Sequence, residues 1–385
     1  MNERGNLARA TAAAAGGRAL GILAQRLHGR VTGVARYIGN LLDVWAAQLG
    51  RAAFPFARIV LLSREPLEEA VLRGTLENRW RPSSLSDAAW EQVHVPRLAR
   101  DLDVLFCPSY TAPLRRPCPM VVATLDMLQV TRPADFPRSA RLLRGPLYRL
   151  SARRADAIVT LAEATVPAIV EHYGVDRGRV HAIPLAADPR FTAVAEASDA
   201  ETLARYHLEA VPFVLFVGKL TPRRHIPELL AGFSRAVERG FPSTHLVLVG
   251  PDSHGLGAAA GGACVQVLGH VPDADLPALY RRAELVAYLS EDEGFGLPIV
   301  EAMRSGTPVL TLDRPVLREV AGAAAHYLPE ATPDTIAEAL VLLFGSAERR
   351  NALRVAGLER AAHFDWQRTA AETLDVLVHA AGSRS

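Results

Sequence analysis

The sequence predicts an α/β protein of two parallel-sheet domains with a cleft between them, and three observations carry that expectation. The chain has 385 residues, more than the ~250–300 at which one hydrophobic core stops growing. Short apolar, β-branched runs alternate with helical patterns along its length. Periodicity lapses across residues 186–210, where alanine, acidic and polar residues gather, and this stretch reads as an interdomain linker with one helical turn.

Before the linker, strands are expected at 19–24, 57–63, 103–107, 120–125, 156–161 and 180–184. Helices are expected at 34–49, near 88–100, over Arg138–Arg154 and at 164–173. After it, strands at Phe213–Val217, 245–250, 265–268, 284–289 and 308–312 alternate with helices at 227–239, 274–282 and 298–304. Pro227 and Pro298 open two of these helices, where a missing N–H costs nothing, and Gly306 closes the latter as a left-handed cap. Helices dominate after Asp334. The expected division is a disordered lead 1–17, an N-terminal domain 18–188, a linker 189–210, a C-terminal domain 211–364 and a final helix 365–385 returning to the first domain.

Composition is that of an ordinary globular chain, 49% hydrophobic and 22% charged, with no apolar run near the ~18 residues of a membrane helix. The lead has arginines and an alanine run but no leucine-rich core, so a secretory signal is not expected. Cys107, Cys118 and Cys264 show no disulfide or zinc spacing, which fits a reducing cytoplasm and no metal. A net charge of +2 gives no pull toward nucleic acid. Lys219 is the single lysine in a chain otherwise basic through arginine.

In open parallel sheets, ligands bind beyond the carboxyl ends of strands, which directs attention to the loops after Val217 and Leu289. In the second loop, Gly294 and Gly296 admit close backbone approach and Pro298 starts a helix with free N–H groups, an anion cradle. Glu293 before that helix and Glu301 in its first turn can face one cleft and accept bonds from sugar hydroxyls. Taken alone, they equally fit acids that complement a helix dipole.

The run Glu293-Gly294-Phe295-Gly296-Leu297-Pro298, then Glu301-Ala302-Met303 and Gly306-Thr307-Pro308-Val309, resembles the signature of retaining glycosyltransferase family 4. Val217-Gly218-Lys219, Pro222-Arg223-Arg224, Leu248-Val249-Gly250, Gly269-His270-Val271-Pro272 and Glu319-Val320-Ala321-Gly322 follow that family's order, and the resemblance covers roughly residues 18–378. It implies a GT-B fold of two Rossmann-like domains, the nucleotide-sugar held by the second and the acceptor by the first. It also implies no metal and no cofactor beyond the nucleoside-diphosphate-sugar co-substrate.

By position, the resemblance gives Glu301 the ribose hydroxyls, Glu293 the donor sugar, and the amides of Gly294, Phe295, Gly296 and Leu297 sugar and phosphate oxygens. Lys219 and Arg224, near Gly218, would neutralise the pyrophosphate, with Arg223 a solvated neighbour, and base contacts would fall around Val271. Preorganised cations stabilise the charge that develops on a departing nucleoside diphosphate.

In the first half, Gly29, Gly33 and Arg36 resemble the family's diphosphate loop, although Ala35 stands where a second glycine is usual; a plain helix start is the other reading. Leu125 precedes Asp126 where many members have His-Asp, so Asp126 is either a catalytic group or a turn cap. Front-face transfer with the leaving phosphate as base, which the resemblance implies, does not require the histidine.

Six arginines and four leucines share Arg138–Arg154, a basic amphipathic segment interrupted at Gly145-Pro146 that suits either a solvated face or peripheral contact with an anionic membrane at the cytoplasmic side. The expected activity is hexosyl or deoxyhexosyl transfer from a UDP- or GDP-sugar to a sugar, lipid-linked or small-molecule acceptor, in bacterial surface polysaccharide assembly or natural-product glycosylation. A catalytically impaired nucleotide-sugar-binding or scaffold protein of the same fold is the alternative, motivated by Leu125. A dehydrogenase is disfavoured because no Gly-x-Gly-x-x-Gly follows a first strand.

Overall fold

The computed structural model describes residues 17–28, 33–240, 243–259 and 264–382. The expected disordered lead, apart from Gly17, and Gly29 lie outside them. The first sheet holds β1 (Ala19–Leu23), β2 (Arg58–Ser63), β3 (Glu77–Trp80), β4 (Val104–Cys107), β5 (Met120–Ala123), β6 (Ala157–Thr160) and β7 (Val180–Ala182). Their spatial order is β3-β2-β1-β4-β5-β6-β7 and all pairs are parallel. The second sheet holds β8 (Phe213–Val217), β9 (His245–Val249), β10 (Val265–Gly269), β11 (Leu285–Tyr288), β12 (Val309–Leu312) and β13 (Ala325–Leu328), ordered β10-β9-β8-β11-β12-β13. It too is parallel throughout. The expected pair of Rossmann-like sheets is therefore present.

Residues 59–62 of β2 and 246–249 of β9 are all buried, because helices cover both faces of a parallel sheet. β3 and β13 were not expected. β3 is an edge strand, Glu77-Asn78-Arg79-Trp80, polar but for its last residue, and β13 is short and half polar, so neither shows an apolar run.

The helices that position the site are α1 (Gly33–Gln48), α2 (Asp87–Val93), α3 (Arg138–Arg154), α4 (Val166–Tyr173), α5 (Ser198–Arg205), α6 (Ile226–Glu238), α7 (Leu276–Arg282), α8 (Leu297–Arg304), α9 (Pro315–Ala321) and α10 (Trp366–Gly382). The helix expected near 88–100 ends at Val93, and Val95–Leu98 forms a separate short turn with Pro96 at its start. α3 runs unbroken through Pro146 instead of stopping at Gly145-Pro146. Pro146 is exposed, so water can serve the carbonyl one turn back that loses its N–H partner.

α10 packs on α1: the Trp45 indole N–H donates to the Ala370 carbonyl at 3.1 Å, and the Thr369 hydroxyl donates to the Pro184 carbonyl at 2.7 Å. The stretch expected to hold one helical turn carries the two-turn helix α5, docked on α7. Arg281 Nε donates to Asp199 Oδ2 at 2.9 Å, with side chains only 5% and 8% exposed, and Arg205 and the Tyr206 hydroxyl both hold Asp275. Removing one partner of such a pair strands a buried charge, which costs about 3–5 kcal/mol. Asp199→Ala should therefore lower the melting temperature by roughly 6–20 °C at about 2–4 °C per kcal/mol, checked by calorimetry; an unchanged transition would mean α5 is not anchored there.

Candidate functional site

Each sheet reverses its strand order once, between β1 and β4 in the first and between β8 and β11 in the second. Such switch points leave a crevice at the carboxyl ends of the strands. β8 delivers Gly218 and Lys219 to the second crevice, and β11 delivers the loop of residues 289–296.

Glu293 sits at the centre of that crevice with 11% of its side chain exposed. Its Oε1 accepts from Arg223 Nη1 at 2.7 Å, Arg224 Nη2 at 2.8 Å, the Tyr288 hydroxyl at 2.7 Å and the Ser290 hydroxyl at 2.9 Å. Oε2 accepts no hydrogen bond among the described residues. Burial alone would raise this carboxyl, but Arg224, Arg223 and the Tyr288 hydroxyl hold it at about 2. Arg223, expected as a solvated neighbour, is tied to Glu293, Ser290 Oγ and the Asp292 carbonyl, because the short turn Pro222–Arg224 points both guanidinium groups at one carboxylate. Arg224 also lies 5.4 Å from the Tyr288 ring centroid and donates to the Lys219 carbonyl at 3.2 Å. Lys219 itself is exposed, and its ammonium has no partner among the described residues.

Gly296 caps α8 with φ +100, a conformation that costs a residue with a Cβ. Pro298 occupies the first turn of α8, whose free N–H groups face this loop. Phe295 turns inward, 4% exposed and edge-on to Phe364, so only its backbone is available to a ligand. Glu301 is 5% exposed; Tyr280 donates to its Oε2 at 2.8 Å, and Arg36 Nη1 of the first half lies 3.8 Å from Oε1. Burial raises the Glu301 pKa, against the Tyr280 bond and Arg36. Arg36 also pairs with Asp273, and these groups, with Leu297, line a pocket of only 20 Å³. Val271 is buried, at 3%, and Gly33 opens α1 at the surface, where a Cβ would meet nothing within 4 Å.

The two halves meet at Gly294. A Cβ there would stand 1.9 Å from the Leu125 carbonyl oxygen and 3.0 Å from Asp126 Cβ, so only glycine fits. Leu125 thus turns its carbonyl to the loop while its side chain is buried. Asp126 is both candidate and cap: its Oδ1 accepts from Leu128 N at 3.1 Å and its Oδ2 from the Tyr110 hydroxyl at 2.5 Å. Burial raises its pKa; the Tyr110 and Leu128 bonds oppose that and Glu293 adds to it. Thr131 bonds Asp292 across the same seam, and the Glu319 carboxylate accepts from the amides of Glu163 and Ala164 at 2.8 and 2.7 Å. A wider cavity of 540 Å³ opens at the amino ends of β8, β11 and β12, away from the cleft.

Sequence reading missed Tyr280 and Tyr288, which look like core residues of a helix and a strand, and the pairing role of Arg223, whose position beside Arg224 was the available signal.

The family described as Glycosyl transferases group 1 matches residues 203–360, and Glycosyltransferase Family 4 matches residues 31–191. The O-antigen chain mannosyltransferase B of Escherichia coli is 28% identical over 230 residues, 57% of this chain and 60% of that protein. The D-inositol 3-phosphate glycosyltransferase of Kineococcus radiotolerans is 30% identical over 297 residues, 69% of this chain and 67% of that protein. Its counterpart from Salinispora tropica is matched over only 50% of its length, so the chain spans between half and two thirds of these curated relatives. Among solved structures, Anabaena HepE in complex with UDP and glucose superposes with a TM-score of 0.75 at 16% identity, covering 94% of this chain and all of that one. WaaG, a glycosyltransferase involved in lipopolysaccharide biosynthesis, gives 0.71 at 17% identity, covering 93% and 99%. The fold is GT-B.

Because the Glu293 carboxyl is depressed from 4.5 to about 2, its contribution to stability is complete above pH ~4.5 and is lost as pH falls through about 2. Glu293→Gln, which removes the counter-charge of two buried guanidinium groups, should cost about 3 kcal/mol at pH 7. The melting-temperature gap to wild type should narrow on acidification toward pH 2; a gap constant with pH would contradict the assigned ion pairs.

Proposed function

The chain belongs to glycosyltransferase family 4, and we propose that it moves a sugar from a UDP- or GDP-sugar to an acceptor hydroxyl with retained configuration. The observation that carries the reading is the cluster of Glu293, Arg223, Arg224 and Lys219 at the second switch point, beside the N-terminus of α8. In the reaction, the anomeric C–O bond to the pyrophosphate breaks and a C–O bond to the acceptor forms on the same face. The acceptor proton passes to the leaving phosphate. Lys219 and the α8 amides receive the charge that develops there, Arg224 is held in place by Glu293, and the free Oε2 of Glu293 accepts from a donor-sugar hydroxyl. Glu301 exchanges Arg36 for the ribose hydroxyls. Asp126 lies across the seam from this loop, on the acceptor side.

Leu125 offers only a carbonyl at the seam, so replacing a histidine there leaves the donor half intact. This supports the catalytic reading over the scaffold alternative. The O-antigen and inositol 3-phosphate transferases among the relatives support a sugar or cyclitol acceptor, free or lipid-linked, in envelope glycan assembly at the cytoplasmic side. No helix of the described residues is long and apolar enough to cross a membrane. Peripheral contact is instead proposed for α3, where Leu142 and Leu143 are 76% and 74% exposed among exposed arginines.

A panel of nucleoside diphosphates and their sugars should raise the melting temperature, by about 2.7 kcal/mol of added stability at a hundredfold excess over Kd. A labelled sugar should pass from the stabilising donor to an acceptor. Glu301→Ala should weaken nucleotide affinity at least tenfold by calorimetry; no shift with any nucleotide would sink the reading.

Vesicles rich in phosphatidylglycerol should carry the protein upward in flotation at low salt and release it at high salt. Replacing Leu142 and Leu143 by Glu together should abolish flotation, whereas flotation of that variant like wild type would remove α3 from the contact.

A further inference from the structure

The second half has an opening besides the cleft. This is the cavity of 540 Å³ at the amino ends of β8, β11 and β12, walled by Pro212, Glu284 and Pro308 just ahead of those strands. Its volume falls within the ~300–1,000 Å³ of small-molecule sites. The chemistry of a parallel sheet sits at the carboxyl ends of its strands, so a ligand bound at the amino ends is not a substrate of the cleft.

The charges lining this cavity divide into committed and free. Arg281 is tied to Asp199, and Arg350 donates to the Leu343 and Phe344 carbonyls at 2.7 and 2.8 Å and lies 3.3 Å from Glu284. Arg282 and Arg354 are exposed, and neither guanidinium makes a hydrogen bond or ion pair among the described residues. Glu209, exposed at the rim, is likewise unpaired among them. Two free cations against one free carboxylate leave the opening positive.

Helix dipoles account for only part of this pattern. Arg281 and Arg282 end α7, where cations complement the C-terminal partial charge. Arg350 and Arg354 come from the first two turns of the helix Ala347–Ala361, where the dipole gives a cation no advantage. Gly306, at φ +72, makes room for Arg354: a Cβ there would stand 3.2 Å from Arg354 Nε and 3.0 Å from Ala193 Cβ. Arg354 therefore lies against the turn that follows α8. Ser305 in that turn also lines the cavity, and its hydroxyl is buried with no hydrogen-bond partner among the described residues. A hydroxyl both donates and accepts, and this one turns about a single bond to meet a ligand seated beside it.

The walls of the cavity lead to Glu301. Tyr280, whose hydroxyl holds Glu301 Oε2 at 2.8 Å, directly precedes Arg281 and Arg282. Ser305 N donates to the Glu301 carbonyl at 3.0 Å, so the turn at the cavity lies one helical turn from that acid. The Thr307 hydroxyl bonds the Tyr280 carbonyl and ties α7 to the end of α8. The helix Ala347–Ala361 packs on α8 at Gly357, where a Cβ would stand 3.3 Å from Met303 Cγ. A ligand that draws Arg282, Arg354 and Ser305 together thus acts on the elements that set the position of Glu301.

We infer that this cavity is an effector site for a small phosphate monoester, separate from the cleft, and that its occupation changes nucleotide affinity. A phosphate monoester, with a second pKa of about 6, is largely a dianion at neutral pH and matches two guanidinium groups, whose planar forks suit its oxygens. Arg282 and Arg354 take the phosphate, Ser305 adds a hydroxyl, and the organic part fills the remaining volume against Val211, Pro212 and Pro308. The effect on nucleotide affinity rests on the glycosyl-transfer reading; the site itself does not.

Calorimetric titration of the full chain with glycerol 3-phosphate, phenyl phosphate and inorganic phosphate at fixed ionic strength, beside glycerol and phenol, tests the site. At least one ester should bind, tenfold or more tighter than inorganic phosphate and than its neutral alcohol. Arg282→Ala and Arg354→Ala together should weaken that binding at least tenfold without moving the ligand-free melting curve, since neither guanidinium has a hydrogen-bonded or ion-paired partner to lose. Lys219→Ala, in the cleft, should leave it unchanged. Binding by no ester, an adventitious ion only (inorganic phosphate equal to the esters), wild-type affinity in the double variant, or loss of binding in Lys219→Ala overturns the site. Saturation with the ester should change the affinity for the nucleoside diphosphate that stabilises the chain about fivefold or more, and saturation with the nucleotide should change ester affinity by the same factor. Unchanged affinities overturn the effector role. If an ester binds and no nucleotide does, the glycosyl-transfer reading falls together with the effector role, and the site stands.

Discussion

The carbonyl oxygen of Leu125, at the end of one sheet, lies so close to the α-carbon of Gly294, at the end of the other, that no side chain can separate them. Two parallel sheets each have a ligand-binding edge, but each edge alone is only half of a reaction site. The glycine contact brings the edges face to face. It also fixes what can be near what: Asp126 opposite Glu293, Thr131 opposite Asp292, and Arg36 opposite Glu301. Glu319, capping the turn before α4 from α9, and α10, laid along α1, hold the same arrangement from outside the cleft.

Within the second half, the electrostatics are settled before any ligand arrives. Arg223 and Arg224 share one carboxylate oxygen of Glu293, so two positive groups and one negative group leave one positive charge, and Lys219 adds another. That surplus has the sign a pyrophosphate requires. The shared carboxylate matters for geometry more than for net charge, because an unpaired guanidinium on a strand-end loop would sample many rotamers and lose entropy on binding. Glu301 is arranged differently: Arg36 serves it at a distance of 3.8 Å in a pocket with almost no free volume. A group reaching Glu301 from the cleft must displace Arg36 of the opposite half, which couples entry there to movement across the seam.

Much of this was legible in the sequence. β8 was placed to the residue, and most other strands of both sheets to within one or two, because buried parallel strands are continuous apolar runs. The loop carrying Glu293, Gly294 and Gly296 was legible because glycine spacing before a proline-started helix has few other uses. What stayed hidden was hidden for physical reasons. β3 is an edge strand whose polar residues show no period, and α3 survives Pro146 because its outer face is wet. Arg223 looked like a spare charge because a sequence gives no sign that two adjacent arginines fold back on one acid seventy residues away. A cavity of 320 Å³ at the carboxyl ends of β1 and β4 was invisible because its polar groups, among them Gln25, Glu91, Thr111 and Arg144, come from four elements with no shared motif.

That difference between the halves has a physical logic. A site built on backbone amides, glycine gaps and a few fixed charges leaves a contiguous trace in the sequence, because one loop and one helix supply them. A cavity lined by side chains from several elements, such as Gln25, Glu91, Thr111 and Arg144, leaves a scattered trace that can change residue by residue without disturbing the sheet. The charges follow the same division. In the second half, arginine is committed internally to Glu293, and in the first half Arg26 and Arg144 make no hydrogen bond or ion pair among the described residues. The second half fixes its strand-end charges by internal pairing, whereas a change at Arg26 or Arg144 breaks no hydrogen bond or ion pair among the described residues, so the first half can vary there at little structural cost.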